Sequence, residues 1–243
     1  NVIHDNFDVI PISKNYILQL HKIMYSHMNN PLAGQTKNLQ NYISATYPEG
    51  HTEILFTPLS PFETPEALDK ICEEYNRVIG NFEVEPLIAI PIFIHDFLCI
   101  HPFNDGNGRM SRLLTTLLLY RNGFYVGKYI SLEAKIANAK DLYYDALARS
   151  QDRWHEGCEN AVPFIKYLLS TFLAAYKDFE DRFSIVETKL PAVEMVRKAT
   201  QNKIGKFTKQ DIRELCPSLS ISSIEGSLRK LVKEGDLKRE GSG

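Results

Sequence analysis

Hydrophobic residues recur at three- and four-residue spacing along most of the chain, which is the spacing of one face of an α-helix. Residues 14–29 carry the first such pattern and residues 64–79 carry the second. From residue 85 the pattern is almost unbroken, and it predicts four further helices, over 86–100, 109–122, 138–151 and 161–183. The predicted fold is therefore mainly α-helical.

Local signals predict two of the helix ends. Thr64 is expected to be the N-cap of the second helix and Pro65 its first helical residue, because a first-turn position needs no backbone N–H donor. Asn122-Gly123 is expected to end a later helix, since Gly and Asn readily take the left-handed backbone conformation.

The stretch between residues 30 and 64 has a different pattern, rich in Asn, Gly, Pro and Thr. Two short segments, 41–45 and 53–57, have sequences compatible with strands, and Tyr47-Pro-Glu-Gly-His separates them. Two strand-like segments around a turn sequence predict a small β-hairpin.

The last fifty residues predict three short helices: one over 190–200, one that starts at Thr208 with capping-box spacing, and one over 220–235. Residues 237–243 are expected to form a strand and a glycine turn. This order of elements resembles a winged-helix (helix-turn-helix) module, in which 220–235 would be the recognition helix and 241–243 the tip of the wing.

Composition places the chain among ordinary globular proteins: 243 residues, 44% of them hydrophobic, with four cysteines. Disordered, collagen-like and disulfide-scaffold classes are excluded. The cysteines lie far apart without a C-x-x-C pair, which favours a reducing compartment and hence a cytoplasmic protein. The apolar segment 86–100 contains His95 and Asp96 and is shorter than the ~18 apolar residues of a membrane span, so no membrane partner is expected.

The net charge of −2 conceals an uneven distribution. From Lys189 onward there are 12 basic and 7 acidic residues, a net charge of +5, which leaves −7 for the residues before it. We therefore predict two domains, 1–184 and 185–243. Because the sequence begins at Asn1 rather than at a methionine, we expect it to be a portion of a longer chain.

The chemistry is concentrated in residues 101–112, His-Pro-Phe-Asn-Asp-Gly-Asn-Gly-Arg-Met-Ser-Arg, between two predicted helices. Gly106 and Gly108 lack side chains, so backbone N–H groups can converge at the N-terminus of the helix that begins near Arg109, which is a ready anion site. Arg109 and Arg112 are three residues apart on one helical face, where their guanidinium groups can clamp phosphate oxygens.

The same loop supplies a metal ligand and a base. Asp105 offers the hard oxygen that suits Mg²⁺, and His101 has an unperturbed pKa near neutrality, so that it can accept a proton from a hydroxyl. Each of these residues alone is more often structural, but no folding rule requires the whole set within twelve positions. The set indicates attack on a nucleotide phosphate.

These twelve residues match without exception the signature of Fic domains, H-x-F-x-[D/E]-G-N-G-R-x-x-R, and the resemblance extends over about residues 14–180. It implies a mostly helical Fic core with a β-hairpin flap. It also implies transfer of AMP from ATP to a Ser, Thr or Tyr hydroxyl of a target protein, with Mg²⁺ as cofactor.

The resemblance further implies roles for single residues. His101 is the general base, Phe103 anchors the loop in the core, Asp105 holds Mg²⁺ and Arg112 binds the γ-phosphate. Tyr143 and Tyr144 match paired aromatic residues beside the adenine, although core packing stays open as their role. The residues expected to bind the nucleotide are Asn104, Asp105, Gly106, Asn107, Gly108, Arg109, Arg112, Tyr143 and Tyr144.

The segments 34–37 and 40–43 resemble the family stretch before the flap, with Lys37 where Arg is common. The hairpin over 42–57 would be that flap, which in the family binds the target segment as an added strand. Many relatives also carry an inhibitory helix with the pattern [S/T]-x-x-x-E-[G/N]. Residues 46–50 are one position too short for it and residues 221–226 begin with Ile, so we expect this helix to precede Asn1 and the present chain to be the more active form.

Two alternatives stay open. The same scaffold could transfer phosphate, phosphocholine or another nucleotide, or remove AMP; Gly108 favours AMP transfer, because phosphate-transferring relatives carry Lys at that position. The basic C-terminal part could instead make the protein a DNA-binding regulator. It could equally mediate protein contacts, including formation of a homo-oligomer.

Overall fold

The computed structural model describes residues 2–28, 30–46, 49–187, 190–201 and 206–240. The chain divides into two compact units, Asn1–Leu173 and Ala174–Gly243. The two predicted domains, with a boundary after residue 184, stay a prediction.

The first unit is helical with one small sheet, which confirms the predicted fold class of its core. The short 3-10 turns Val126–Lys128 and Trp154–Glu156 connect some of its later helices. Its elements in chain order are α1 (Val2–Asn6), α2 (Lys14–Met24), β1 (Ile43–Thr46), β2 (Thr52–Phe56), α3 (Thr64–Gly80), α4 (Pro86–Ile100), α5 (Asn107–Arg121), α6 (Leu132–Asn138), α7 (Lys140–Gln151) and the start of α8 (Val162–Glu187).

Helices α4 and α5 form the centre of this unit and position the loop between them. Helix α4 is apolar on nearly all sides and contacts both α3 and α5. Phe103, in the loop, is completely buried beside Phe97 of α4. Burying an aromatic side chain contributes about 1.5–3 kcal/mol, so the burial of Phe103 holds the middle of the loop against the core.

The predicted hairpin is present. Strands β1 and β2 are antiparallel, with Ser44 opposite Ile54 and Thr46 opposite Thr52, and the register shifts between Ile43 and Ser44. Ile54 and Leu55 are more than half exposed, so this strand presents apolar side chains to solvent. Residues 47 and 48, in the predicted turn, lie outside the described residues.

Several helix ends differ from their predictions. Helix α3 has Glu63 at the N-cap position, and Thr64 is helical, because its hydroxyl donates to the carbonyl of Ser60 (2.7 Å) instead of capping the helix. Helix α5 starts at Asn107, two residues before the predicted start. The end of α5 is as predicted, with Asn122 as C-cap and Gly123 at φ 84°. Helices α1 and α6 were not predicted, since five and seven residues are too few for a periodic pattern.

The second unit contains the end of α8 and three short helices, α9 (Ala192–Gln201), α10 (Lys209–Leu215) and α11 (Ile221–Glu234). The predicted capping box at Thr208 is present and is completed by Asp211. Residues 237–240 form no strand with any residue that the structure describes, and 241–243 lie outside it, so the wing stays a prediction. The core of this unit consists of Met195, Val196, Ala199, Ile212, Cys216, Ile224 and Leu231.

Across the parts of the chain that the structure describes, no helix is both long enough and apolar enough to cross a membrane.

Candidate active site

His101 ends helix α4 in the left-handed conformation (φ 53°, ψ 61°). Its backbone N–H donates to the carbonyl of Phe97 (3.0 Å), and its Nδ1 lies 3.2 Å from the carbonyl oxygen of Leu98. A carbonyl oxygen can only accept, so Nδ1 carries the proton of the neutral imidazole. The lone pair is therefore on Nε2, the nitrogen that could accept a proton from a substrate.

The imidazole of His101 is uncharged at neutral pH. Burial lowers its pKa to about 4, against the opposing effect of the Leu98 hydrogen bond, and the positive charge of Lys37 lowers it as well. The group thus enters any reaction near pH 7 in the form that accepts a proton.

Gly106 forms the turn into α5 and has no room for a side chain. Its φ is 87°, and a Cβ atom there would lie 2.8 Å from Met24 Cε and 2.9 Å from the hydroxyl oxygen of Tyr25. A residue other than glycine would be strained in both backbone and contacts. The turn brings the first backbone N–H groups of α5 next to Asp105, whose Oδ1 accepts from the Gly106 N–H (2.7 Å).

Tyr25, the C-cap residue of α2, links Asp105 to Arg109. Its hydroxyl donates to Asp105 Oδ2 and accepts from Arg109 Nη2, and the guanidinium group lies 4.7 Å from the centre of the Tyr25 ring. Arg109 Nη2 is also 3.2 Å from Asp105 Oδ2. The Tyr25 hydroxyl, the Gly106 N–H and the charge of Arg109 together hold the pKa of Asp105 below its ordinary value, so the carboxylate is ionised at neutral pH.

The two loop asparagines have different surroundings. Asn107 is buried and its side chain folds the loop, since Oδ1 accepts from the Phe103 N–H (2.9 Å) and Nδ2 donates to the Phe103 carbonyl (2.7 Å). Asn104 is exposed and donates to Asn38 Oδ1 (3.1 Å). Of the two side chains, only that of Asn104 faces solvent.

Arg112 lies one turn further along α5 and pairs with Glu133 of α6, with 3.3 Å between Nε and Oε1. A Cβ atom on Gly108 would lie 3.6 Å from Arg112 Nη1, which is an ordinary van der Waals contact. Beside Arg112 is a cavity of about 380 Å³, lined in part by Lys128, Ser131 and Glu133. The second arginine of the loop therefore faces a space large enough for a phosphate group.

The two predicted adenine-side tyrosines differ in environment. Tyr143 packs against Phe164 and Tyr167 and is hydrogen bonded to Ser111 of α5. Tyr144 contacts Tyr143 with 5.3 Å between ring centres and is 59% exposed. The structure thus brings Tyr143 to the helix that carries the arginines and leaves Tyr144 largely in solvent.

Four residues at the site did not emerge as site residues from the sequence. Two of them are His21 of α2 and Tyr25, which directly follows the last residue of that helix. His21 accepts from the Gly34 N–H at Nδ1 (2.9 Å), so its Nε2 carries the proton and donates to the Asp105 carbonyl (3.0 Å), and its ring stacks on Phe103 at 3.7 Å. Both residues lie in the segment 14–29, whose spacing indicates a helix and gives no sign of a site. The other two of these four site residues are Lys37 and Asn41, which lie between α2 and β1.

The site fits a magnesium ion that is shared with a nucleotide. The Asp105 carboxylate is ionised and 72% exposed at the start of α5. Within the described ranges, no group of three His, Cys, Asp or Glu residues could hold a metal by itself. Mg²⁺ commonly takes one or two carboxylates together with phosphate oxygens and water, which is the donor set that Asp105 and a nucleotide would provide.

Comparisons with known proteins agree on the family. Residues 11–119 match the model of the Fic/DOC family. A Fido domain-containing protein of Dictyostelium discoideum is 30% identical over 131 residues, which are 52% of this chain and 87% of that protein. Protein adenylyltransferase fic-1 of Caenorhabditis elegans is 31% identical over 113 residues, 46% of this chain and 20% of that protein. The chain thus spans only about a fifth of that adenylyltransferase.

Solved structures show the same fold. A Fic family protein from Desulfovibrio desulfuricans G20 superimposes with a TM-score of 0.57 at 21% identity, over 96% of this chain and 65% of the other. Fic-1 from Caenorhabditis elegans gives a TM-score of 0.54 at 23% identity, over 72% of this chain and 46% of the other. Together with the sequence match and the complete twelve-residue loop, these similarities establish that the chain belongs to the Fic/DOC family.

Proposed function

We propose that this protein is a protein adenylyltransferase that transfers AMP from ATP to a Ser, Thr or Tyr hydroxyl of a target protein. The observation that carries the proposal is the state of His101, which is neutral, holds its proton on Nδ1 and has the Nε2 lone pair available. Relatives named protein adenylyltransferases support the same activity.

In the proposed reaction, His101 Nε2 accepts the proton of the target hydroxyl. The hydroxyl oxygen forms a bond to the α-phosphorus of ATP, the bond from that phosphorus to the oxygen bridging to the β-phosphate breaks, and pyrophosphate leaves. A base held in place near a correctly oriented phosphate lowers the barrier through proximity and proton removal.

The phosphates would bind at the N-terminus of α5. The backbone N–H groups of Gly106, Asn107 and Gly108 and the guanidinium groups of Arg109 and Arg112 supply the positive potential. The side chains of Arg109 and Arg112 are 38% and 32% exposed, and each pairs with one carboxylate, Asp105 or Glu133, so it can exchange that partner for a phosphate oxygen. Asn104 would contact the nucleotide from the loop.

Asp105 would hold Mg²⁺, which when bound neutralises charge on the phosphates of ATP. Tyr143 and Tyr144 would lie on the adenine side. The target segment would pair with the hairpin of β1 and β2, whose exposed residues Ile54 and Leu55 offer it an apolar surface.

The test uses ATP labelled either on the α- or on the γ-phosphate, Mg²⁺ and a cell extract, with the His101→Ala variant as control. We expect protein bands labelled from α-labelled ATP by the wild type, at least 100-fold weaker labelling by the variant, and the same labelling from γ-labelled ATP with either protein, since kinases of the extract supply it. Equal labelling from α-labelled ATP would disprove the role of His101, and stronger γ-labelling with the wild type than with the variant would indicate phosphate transfer.

A further inference from the structure

Two side chains, one buried and one partly buried, bind the backbone that carries His101. The pair is Lys37 and Asn41, which lie between α2 and β1, far from His101 in sequence. Lys37 Nζ donates to the carbonyl of Ile100 (3.0 Å) and to Asn41 Oδ1 (2.9 Å). Asn41 Nδ2 in turn donates to the carbonyls of His101 (3.2 Å) and Phe103 (3.0 Å).

The backbone of Lys37 completes this arrangement. Its N–H donates to the carbonyl of Pro102 (2.8 Å). The four consecutive carbonyls of residues 100–103 are thus each bound by Lys37 or Asn41. The end of a helix leaves its last carbonyls without intrahelical partners, so these bonds determine the direction that the chain takes after α4.

Placing a lysine at position 37 costs desolvation of its ammonium group. Lys37 is 2% exposed, and its two hydrogen-bond acceptors are neutral. Burial lowers its pKa to about 8, although the charge of Glu63 acts in the opposite direction. An apolar side chain of similar length would avoid this desolvation, so stability alone does not account for a cation here.

Lys37 and Asn41 support an unfavourable backbone conformation at His101. His101 has a positive φ, which residues with a side chain rarely adopt and which persists only where neighbours enforce it. The direction of the imidazole follows from that backbone and from the bond between Nδ1 and the Leu98 carbonyl. A small change in either would move Nε2.

We propose that Lys37 and Asn41 are positioning residues for AMP transfer: by binding the carbonyls of residues 100–103 they keep the His101 imidazole in the tautomer and orientation that expose Nε2. The inference rests on the proposed function. Neither side chain needs to touch ATP or the target, so their loss should affect the catalytic step rather than nucleotide binding.

The kinetic test compares Lys37→Met, Lys37→Arg and Asn41→Ala with the wild type, using α-labelled ATP at varied concentration. We expect Lys37→Met and Asn41→Ala to lower the maximal labelling rate about 10- to 100-fold, because catalysis is sensitive to displacements of about 1 Å, while the KM for ATP changes less than twofold. Lys37→Arg keeps a cationic donor and should recover most of the rate.

Gln40→Ala is the matched control. Gln40 Nε2 donates to the carbonyls of Asn41 (3.1 Å) and Pro58 (3.0 Å), so this variant also removes two side-chain hydrogen bonds from the same segment, but none that reaches residues 100–103. Its maximal rate should stay within about twofold of the wild type. An equal loss in Gln40→Ala and Asn41→Ala would overturn the inference, because it would reflect general loosening of the segment.

A second measurement does not depend on activity. The ¹⁵N spectrum of the His101 ring should show the Nδ1–H tautomer in the wild type and in Lys37→Arg, and a tautomer mixture in Lys37→Met and Asn41→Ala. If all four proteins show the same tautomer and their labelling rates do not differ, the positioning role is refuted. If the wild type transfers no AMP, the proposed function fails, and the spectra alone decide whether the pair controls His101.

Discussion

The neutral imidazole of His101 links the site to the stability of the fold. Its pKa is about 4 in the folded protein, chiefly because of burial, against 6.5 in an unfolded chain. Between these two values the unfolded state binds more protons than the folded one. The contribution of His101 to the free energy of unfolding is therefore fully present above pH 6.5 and is lost progressively as the pH falls toward 4.

The first prediction is that His101→Gln weakens this pH dependence. At pH 5 the wild type should have lost roughly 1–2 kcal/mol of unfolding free energy through His101, and the glutamine variant should lose that much less between pH 7 and pH 5. Burial also lowers the pKa of His21, which adds a loss in the same direction to both proteins, so the difference between them isolates His101. Urea unfolding at pH 7, 6 and 5 measures it, and parallel curves would contradict the assigned pKa.

Apart from Tyr143 and Tyr144, which only the family resemblance suggests, the candidate site could be predicted from sequence only where its residues are contiguous. His101, Asp105, Gly106, Arg109 and Arg112 lie within twelve positions, so their chemistry could be considered together. The residues that support them come from α2 and from the segment before β1, and their approach to the loop depends on tertiary packing that no local pattern encodes. Lys37 was noted for its residue type, but its burial and its hydrogen bonds emerged only from the structure.

At the level of elements, the junction between α4 and α5 depends on one apolar helix, one amphipathic helix and one glycine. The hydrophobic spacing predicts both helices, and the structure confirms them, because long segments with apolar side chains at helical spacing become buried whatever their partners. The spacing predicts a start of α5 that is two residues too late, since Asn107 folds the loop with its side chain while its backbone is already helical. The spacing of hydrophobic residues cannot show that one residue serves both the loop and the helix.

The second prediction concerns Gly106 at this junction. Gly106→Ala should destabilise the protein by about 1–3 kcal/mol and weaken ATP binding, because the new Cβ meets Met24 and Tyr25 in addition to requiring a positive φ. Gly123→Ala is the matched control, since Gly123 has a similar φ of 84° but nothing within 4 Å of its would-be Cβ. Urea unfolding and calorimetric titration with ATP compare the two. Equal effects on both properties would mean that the contact with α2 is unimportant.

At the scale of the whole molecule, the chain consists of two compact units with separate cores, which its near-neutral net charge does not indicate. Every residue predicted to bind ATP or to act as base lies in Asn1–Leu173. The second unit has its own buried cluster around Leu231 and Val196, both completely buried. Two cores of this kind can support two cooperative unfolding transitions, and a ligand stabilises only the transition of the unit that binds it.

The third prediction follows from that separation. Leu231→Ala and Leu118→Ala each remove a fully buried leucine, the first from the core of the second unit and the other from α5. Each truncation should cost about 2–5 kcal/mol and lower the midpoint of a different transition in scanning calorimetry. ATP with Mg²⁺ should raise only the transition that Leu118→Ala lowers. If both variants and the nucleotide move one and the same transition, the chain unfolds as a single cooperative body and the division between Leu173 and Ala174 is not an energetic boundary.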